Sequence, residues 1–168
     1  YTTLFRSLRP VPIDRHLRRD IARLPQSLLD SKDKLLEEKD LDGFPPMIQD
    51  YIRFTGAVGK PRVYNYSVAF SGDFALKIGA PYVKVRTVQF NSGITPLRLF
   101  YIYTRVGGLP LYGRDSYHQG KGRMWGKLLG LIKVFDEQGM EFRIGELTTY
   151  LNDALLLCPA SLVNFKDR

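Results

Sequence analysis

Leu97-Arg98-Leu99-Phe100-Tyr101-Ile102-Tyr103-Thr104-Arg105-Val106-Gly107-Gly108 decides the fold class. Leu97, Leu99, Tyr101 and Tyr103 recur every second residue, the period of a strand with one buried side. Gly107-Gly108 is a turn signal, and a further strand-like run, 111–119, follows at once. A connection that short cannot hold a crossover helix, so the pair reads as antiparallel. Upstream, 62–70 places Tyr64, Tyr66, Val68 and Phe70 on one side. Residues 81–90 set Tyr82, Val88 and Phe90 opposite Val83 and Val85, with Lys84 and Arg86 marking the wetter face. Downstream, 121–135 reads as one further run. Turn signals at Gly72-Asp73, Asn91-Ser92-Gly93 and Gln119-Gly120 complete an antiparallel meander.

Helical periods flank this core. Residues 145–157 carry Leu147, Tyr150, Leu151, Ala154 and Leu155 at helical spacing, and Pro159 stops the run. Met47, Ile48, Tyr51, Ile52 and Phe54 follow the entry signal Asp42-Gly43-Phe44-Pro45-Pro46, and Gly56 ends that helix. Residues 11–24 read as a helix with Ile13, Leu17, Ile21 and Leu24 on one stripe and Arg15, Arg18, Arg19 and Arg23 on the other. Such a basic helix suits an anionic membrane surface, although a narrow stripe without aromatic residues favours packing on its own domain. Residues 26–42 read as charged, part helix and part loop. The fold class is therefore α+β: N-terminal helices (8–43), then a domain over 44–168 with a curved antiparallel sheet and a helix packed on it.

Apolar residues make up 44% and charged residues 25%, a globular composition. A single cysteine, Cys158, excludes an internal disulfide and a multi-cysteine metal site. No stretch reaches the roughly 18 uninterrupted apolar residues of a membrane span. The net charge of +8 is uneven, since 51–168 hold 16 basic and 8 acidic groups while 26–50 are net acidic. That excess favours anionic partners. Tyr1-Thr2-Thr3-Leu4-Phe5-Arg6-Ser7 resembles a translated sequencing adapter, so residues 1–7 are set aside and a fragment is expected.

Gly120-Lys121-Gly122-Arg123-Met124-Trp125-Gly126-Lys127-Leu128-Leu129-Gly130 is the most distinctive local pattern. It lacks the spacing of a dinucleotide fingerprint or a phosphate loop. As a strand, Gly122, Met124, Gly126, Leu128 and Gly130 share a face stripped of bulk, which admits a helix or a ligand close to the backbone. Lys121, Arg123, Trp125 and Lys127 share the other. Tyrosines dense in the strands could line a half-polar cavity. Tyr101, Tyr103, Arg105, Arg123, Trp125 and Tyr150 are the candidate ligand-binding residues, in a cavity expected between the sheet and the 145–157 helix. Arg123 or Arg105 would meet an anionic headgroup.

Catalytic signatures are thin. Glu146 and Asp153 lie seven residues apart on one helical face, which reads as a solvated face, with acid–base work beside Tyr150 as the enzymatic alternative. His16, His118 and Cys158 have no metal-ligand spacing, and no serine sits in a nucleophile elbow. No cofactor, metal or catalytic residue is expected, and no nucleic-acid signature is present.

Three blocks resemble a bacterial family known only as a domain of unknown function, 6544 or its relative 6920. They are Phe44–Ile52 through Gly59-Lys60-Pro61-Arg62-Val63, Gly113–Met124 continuing to Leu131, and Gly145–Ala154 followed by Pro159. The resemblance implies a longer protein with further strands after Pro159. It also implies a partial half-barrel similar to the bacterial lipoprotein-carrier superfamily, whose members hold acyl chains. The expected function is non-enzymatic binding of a lipid-like or other amphiphilic ligand.

Overall fold

A computed structural model of the chain describes residues 12–75 and 77–166. The adapter-like residues 1–7 lie outside the described residues. Helix α1 spans Pro12–Ile21 and α2 spans Pro46–Phe54, with short 3-10 turns at Gln26–Leu28 and Glu38–Leu41. Six strands follow: β1 (Asn65–Ala75), β2 (Tyr82–Ser92), β3 (Leu97–Val106), β4 (Leu109–His118), β5 (Lys121–Leu128) and β6 (Ile132–Gln138). Helix α3 (Met140–Leu157) and a 3-10 segment, Pro159–Lys166, complete the order. The strands form one open antiparallel sheet in the order β1-β2-β3-β4-β5-β6. The α+β class and the antiparallel meander are as the sequence predicts.

Two turn readings need correction. Gly72-Asp73 lies inside β1, paired with Val85 and Lys84. The chain reverses later, between Ala75 and Tyr82, where Gly79 takes φ 79°. The run 121–135 is two strands, because Leu129 and Gly130 both adopt positive φ, 57° and 74°, and fold β6 back along β5. A turn filled with leucine gives no turn signal, so the sequence reads straight through it.

Alternation along the strands divides the side chains between two faces. Register places Val88, Tyr101, Arg114 and Trp125 in one row across β2 to β5. On this first face α1 lays Ile13 and Leu17 against Val88, Phe90, Leu97, Leu99 and Tyr101. Burying each of those two aliphatic side chains is worth about 1.5–3 kcal/mol. Two ion pairs fix the helix: Arg86 Nη2 to Asp14 Oδ2 and Arg114 Nη2 to Asp20 Oδ2, both 3.0 Å.

The second face receives α3. A Cβ added to Gly122 would lie 2.7 Å from the Phe142 carbonyl carbon and 2.8 Å from Arg143 Cα. The empty position lets the backbone of α3 sit directly on β5, the closer approach of the two that the glycine pattern allowed. The buried stripe of α3 is Glu146, Tyr150 and Ala154, whereas Leu147 and Leu151 are exposed. A second small core joins Leu36, Leu41 and Ile52 to Ala160 and Val163 of the last segment.

Candidate functional site

The first face is only partly covered by α1, and an open groove of about 670 Å³ remains beside it. Leu97, Leu99, Tyr101 and Trp125 form its floor. Its walls carry five cationic side chains, Arg19, Arg23, Arg114, Lys121 and Arg123, against one carboxylate, Asp20. The α1 side of this wall follows from helical spacing, since Arg19 and Arg23 are four residues apart and stand above one another. The β5 side follows from the two-residue period that puts Lys121, Arg123 and Trp125 on one face.

Several of these charges are already engaged. Arg123 grips Asp136 in a fork, Nε to Oδ1 and Nη2 to Oδ2, each 2.8 Å. That hydrogen bond holds the Asp136 carboxyl down at about 2. Arg114 bonds Asp20, which also accepts the Tyr101 hydroxyl at 2.6 Å. Arg23 and Lys121 carry no ion pair among the described residues, so they are the cations with spare capacity for an anion. His118 lines the same groove, and burial lowers its pKa.

A second space of about 430 Å³ shares Arg19, Tyr101 and Trp125 with this groove. His16, Tyr112, Lys127, Leu129 and Gly130 line this part. Both spaces carry cations, and the second adjoins the leucine-filled β5–β6 turn.

Of the residues singled out in the sequence, Tyr101, Arg123 and Trp125 line the groove together. Tyr103 shares their face but packs on Tyr112, ring centroids 5.3 Å apart, beside α1. Arg105 lies at the far end of β3, exposed, where its Nε donates to the Tyr103 hydroxyl at 3.3 Å. Tyr150 lies on the other face, its hydroxyl donating to the Ser92 carbonyl at 2.8 Å. The groove thus lies against α1, across the sheet from the position expected beside 145–157. Glycines on the second face drew α3 to that side, and parity then sent Trp125 to the first. Arg19, Arg23 and Lys121 are contributors that the ligand reading missed. Their signal was present in the helical spacing of the arginines and in the strand parity of Lys121.

The second face holds a buried charge cluster instead of a solvated carboxylate pair. Arg98, 4% exposed, bonds Glu146 Oε2 through Nη1 at 3.0 Å and Asp153 Oδ2 through Nε at 2.9 Å. Asp115 Oδ2 stands 3.8 Å from Nη1. Gln89 Nε2 also donates to Asp153 at 2.7 Å and to Asn91 Oδ1 at 3.0 Å, and Asn91 donates to the Tyr66 hydroxyl at 2.6 Å. Three carboxylates around one guanidinium leave excess negative charge. Burial pushes the Glu146 carboxyl up to about 7, and Asp115 and Asp153 add to the rise against the pull of Arg98. Burial also raises Asp115.

A carboxyl protonated more readily when folded stabilises the fold below its ordinary value of 4.5, and that contribution is lost as pH rises through about 7. Unfolding free energy should therefore fall between about pH 5 and 8 on this account. Glu146→Gln should flatten the slope, as chemical denaturation across that range would show. An unchanged slope would place the titration elsewhere.

A family model described as a family of unknown function (DUF6544) matches residues 34–166. The match spans all three blocks quoted from the sequence, and the chain belongs to that family. No curated protein and no solved structure matches.

Proposed function

We propose that this member of the DUF6544 family is a binding protein for an anionic amphiphile, held in the groove between α1 and the first face of the sheet. One observation carries the reading: a single groove has an apolar floor of Leu97, Leu99, Tyr101 and Trp125 and a wall with unpaired Arg23 and Lys121. A volume of about 670 Å³ falls within the range that holds small ligands. Charged headgroups gain most from cations that are not already paired, and an alkyl chain gains by covering the half-buried Trp125 ring, the part of the floor that is still open.

The ligand orients with its anion between Arg23 and Lys121 and its chain along Trp125 toward Leu129. Dodecyl phosphate is a suitable probe, read by the emission of Trp125, the only tryptophan. Saturable binding is expected, with an uncharged dodecyl glycoside weaker. Arg23→Ala with Lys121→Ala should weaken dodecyl phosphate by about tenfold or more, the worth of a lost charged hydrogen bond. Equal affinity for both probes, or no effect of the double substitution, would contradict the reading.

Glu146 supports a second reading. It borders a small cavity of about 290 Å³ with Met124, Phe142 and Thr149, and a carboxyl titrating near 7 suits general acid–base work. Arg98 occupies its other side, and Tyr150 is turned away to Ser92. The groove is the stronger site.

A further inference from the structure

The β5–β6 turn joins the groove but serves no purpose in gripping a headgroup, and its composition is unusual for a hairpin. Three hairpins of this sheet turn on a consecutive pair of positive φ values: Gly107-Gly108 at 57° and 81°, Gln119-Gly120 at 51° and 74°, and Leu129-Gly130 at 57° and 74°. Glycine adopts the first of these positions without strain and a polar residue does so at modest cost, whereas leucine is disfavoured there. The Gln119-Gly120 turn at the other end of β5 has nearly the same backbone angles, so this geometry does not require leucine.

The strained residue is also not buried. Leu129 is 47% exposed, Leu131 83%, and Ile132 and Val134 57% each. A fold that holds leucine in a left-handed conformation and leaves about half of it, and most of the adjoining Leu131, in solvent recovers only part of that strain in packing.

We propose that the tip Leu129–Ile132 seats the protein on an anionic bilayer, its aliphatic side chains entering the acyl boundary and the neighbouring cations meeting the headgroups. Lys127 and Lys133 flank the tip in sequence, on the two strands that lead into it and out of it. Lys127 lies 5.4 Å from the Trp125 ring centre, and Lys133 makes a solvent-exposed 3.5 Å pair with Asp136, which an anionic headgroup can replace. Arg19 and His16 of α1 line the same space as Leu129 and Gly130, which brings the basic helix beside the tip. Charge complementarity with an acidic lipid surface follows, reinforced by the net charge of +8.

A protein partner fits less well. Stable protein interfaces cover about 800 Å² per partner, more than a projecting turn offers, while a few aliphatic groups with a basic surround suffice for reversible membrane seating. Seating at this point would open the leucine end of the groove to the lipid phase. The inference does not require the groove to be filled.

Co-sedimentation with vesicles of phosphatidylcholine, and of phosphatidylcholine with a quarter phosphatidylglycerol, tests it on the full chain. Binding to the anionic vesicles, weakened by salt and much lower on the neutral ones, is expected. The double variant Leu129→Gly, Leu131→Asp should lose at least tenfold in binding without a lower melting temperature, since glycine relieves the left-handed position and Leu131 touches little. Trp125→Ala, followed by titration calorimetry because the only tryptophan is then gone, should abolish dodecyl phosphate binding yet leave vesicle binding in place, which separates failure of the groove from failure of the tip. No binding of the unaltered chain, equal binding by the double variant, or loss of self-association as its only effect would overturn the proposal.

Discussion

Replacing Arg98 by alanine is expected to lower the free energy of unfolding by about 3–5 kcal/mol, the cost of breaking a buried ion cluster from one side. The guanidinium is 4% exposed and is the common partner of Glu146, Asp153 and Asp115. Its removal leaves these carboxylates facing one another in a poorly solvated space and takes away its stacking on Phe100, 4.6 Å from the ring centroid. Because Glu146 takes up a proton near 7, the loss should be larger at pH 8 than at pH 5. Urea denaturation at the two values measures both effects. Arg98→Met combined with Glu146→Gln, Asp153→Asn and Asp115→Asn should recover much of the loss, because no charge is then stranded. A loss below about 1 kcal/mol at both pH values is what an exposed pair would give, and would contradict a buried cluster.

Gly122→Val is expected to destabilise by about 1–3 kcal/mol or more, through overpacking between β5 and α3. The atoms in the way are the Phe142 carbonyl carbon and Arg143 Cα, at 2.7 and 2.8 Å from an added Cβ. They belong to a helix backbone and cannot swing aside as a side-chain end could. The helix must lift, carrying Glu146 away from Arg98. The variant should therefore lose the pH-dependent slope along with stability. Gly120→Ala provides a contrast, since open space surrounds that glycine but its φ of 74° disfavours a side chain. Its cost should reflect backbone strain alone, with the Glu146 titration intact. Equal retention of the slope in both variants would mean that α3 does not rest on Gly122.

Much of the sheet was legible because its strands alternate cleanly. Leu97 to Tyr103 and the turn at Gly107-Gly108 read correctly, since local period and local turn chemistry agree there. Failures came where distant partners decide. The helix at 145–157 looked as though Leu147 and Leu151 faced the core, but the buried stripe runs through Glu146 and Tyr150. Arg98, 48 residues earlier, supplies the partner that makes burial of Glu146 tolerable. No local pattern announces a charge pair of that separation.

The groove was half legible. Tyr101, Arg123 and Trp125 do converge, and strand parity was enough to group Arg123 with Trp125. The same parity set them opposite Gly122, and glycine is what a closely packed helix requires. Combining the two facts would have moved the cavity off the α3 side. The β5–β6 turn was missed for a different reason: its leucines suit a buried strand, and only the left-handed backbone at Leu129 reveals that they are presented outward. A local rule broken for little gain in packing is a mark of a functional site.

Native mass spectrometry on detergent-free protein reads out directly whether the groove holds an anionic amphiphile. A co-purified anionic lipid or fatty acid of about a few hundred daltons, the size of a single-chain or double-chain amphiphile, is expected, released by organic solvent. It should be depleted when Arg23 and Lys121 are replaced by alanine. Bare protein that also takes up no dodecyl phosphate, or a bound ligand retained unchanged by that double variant, would contradict it.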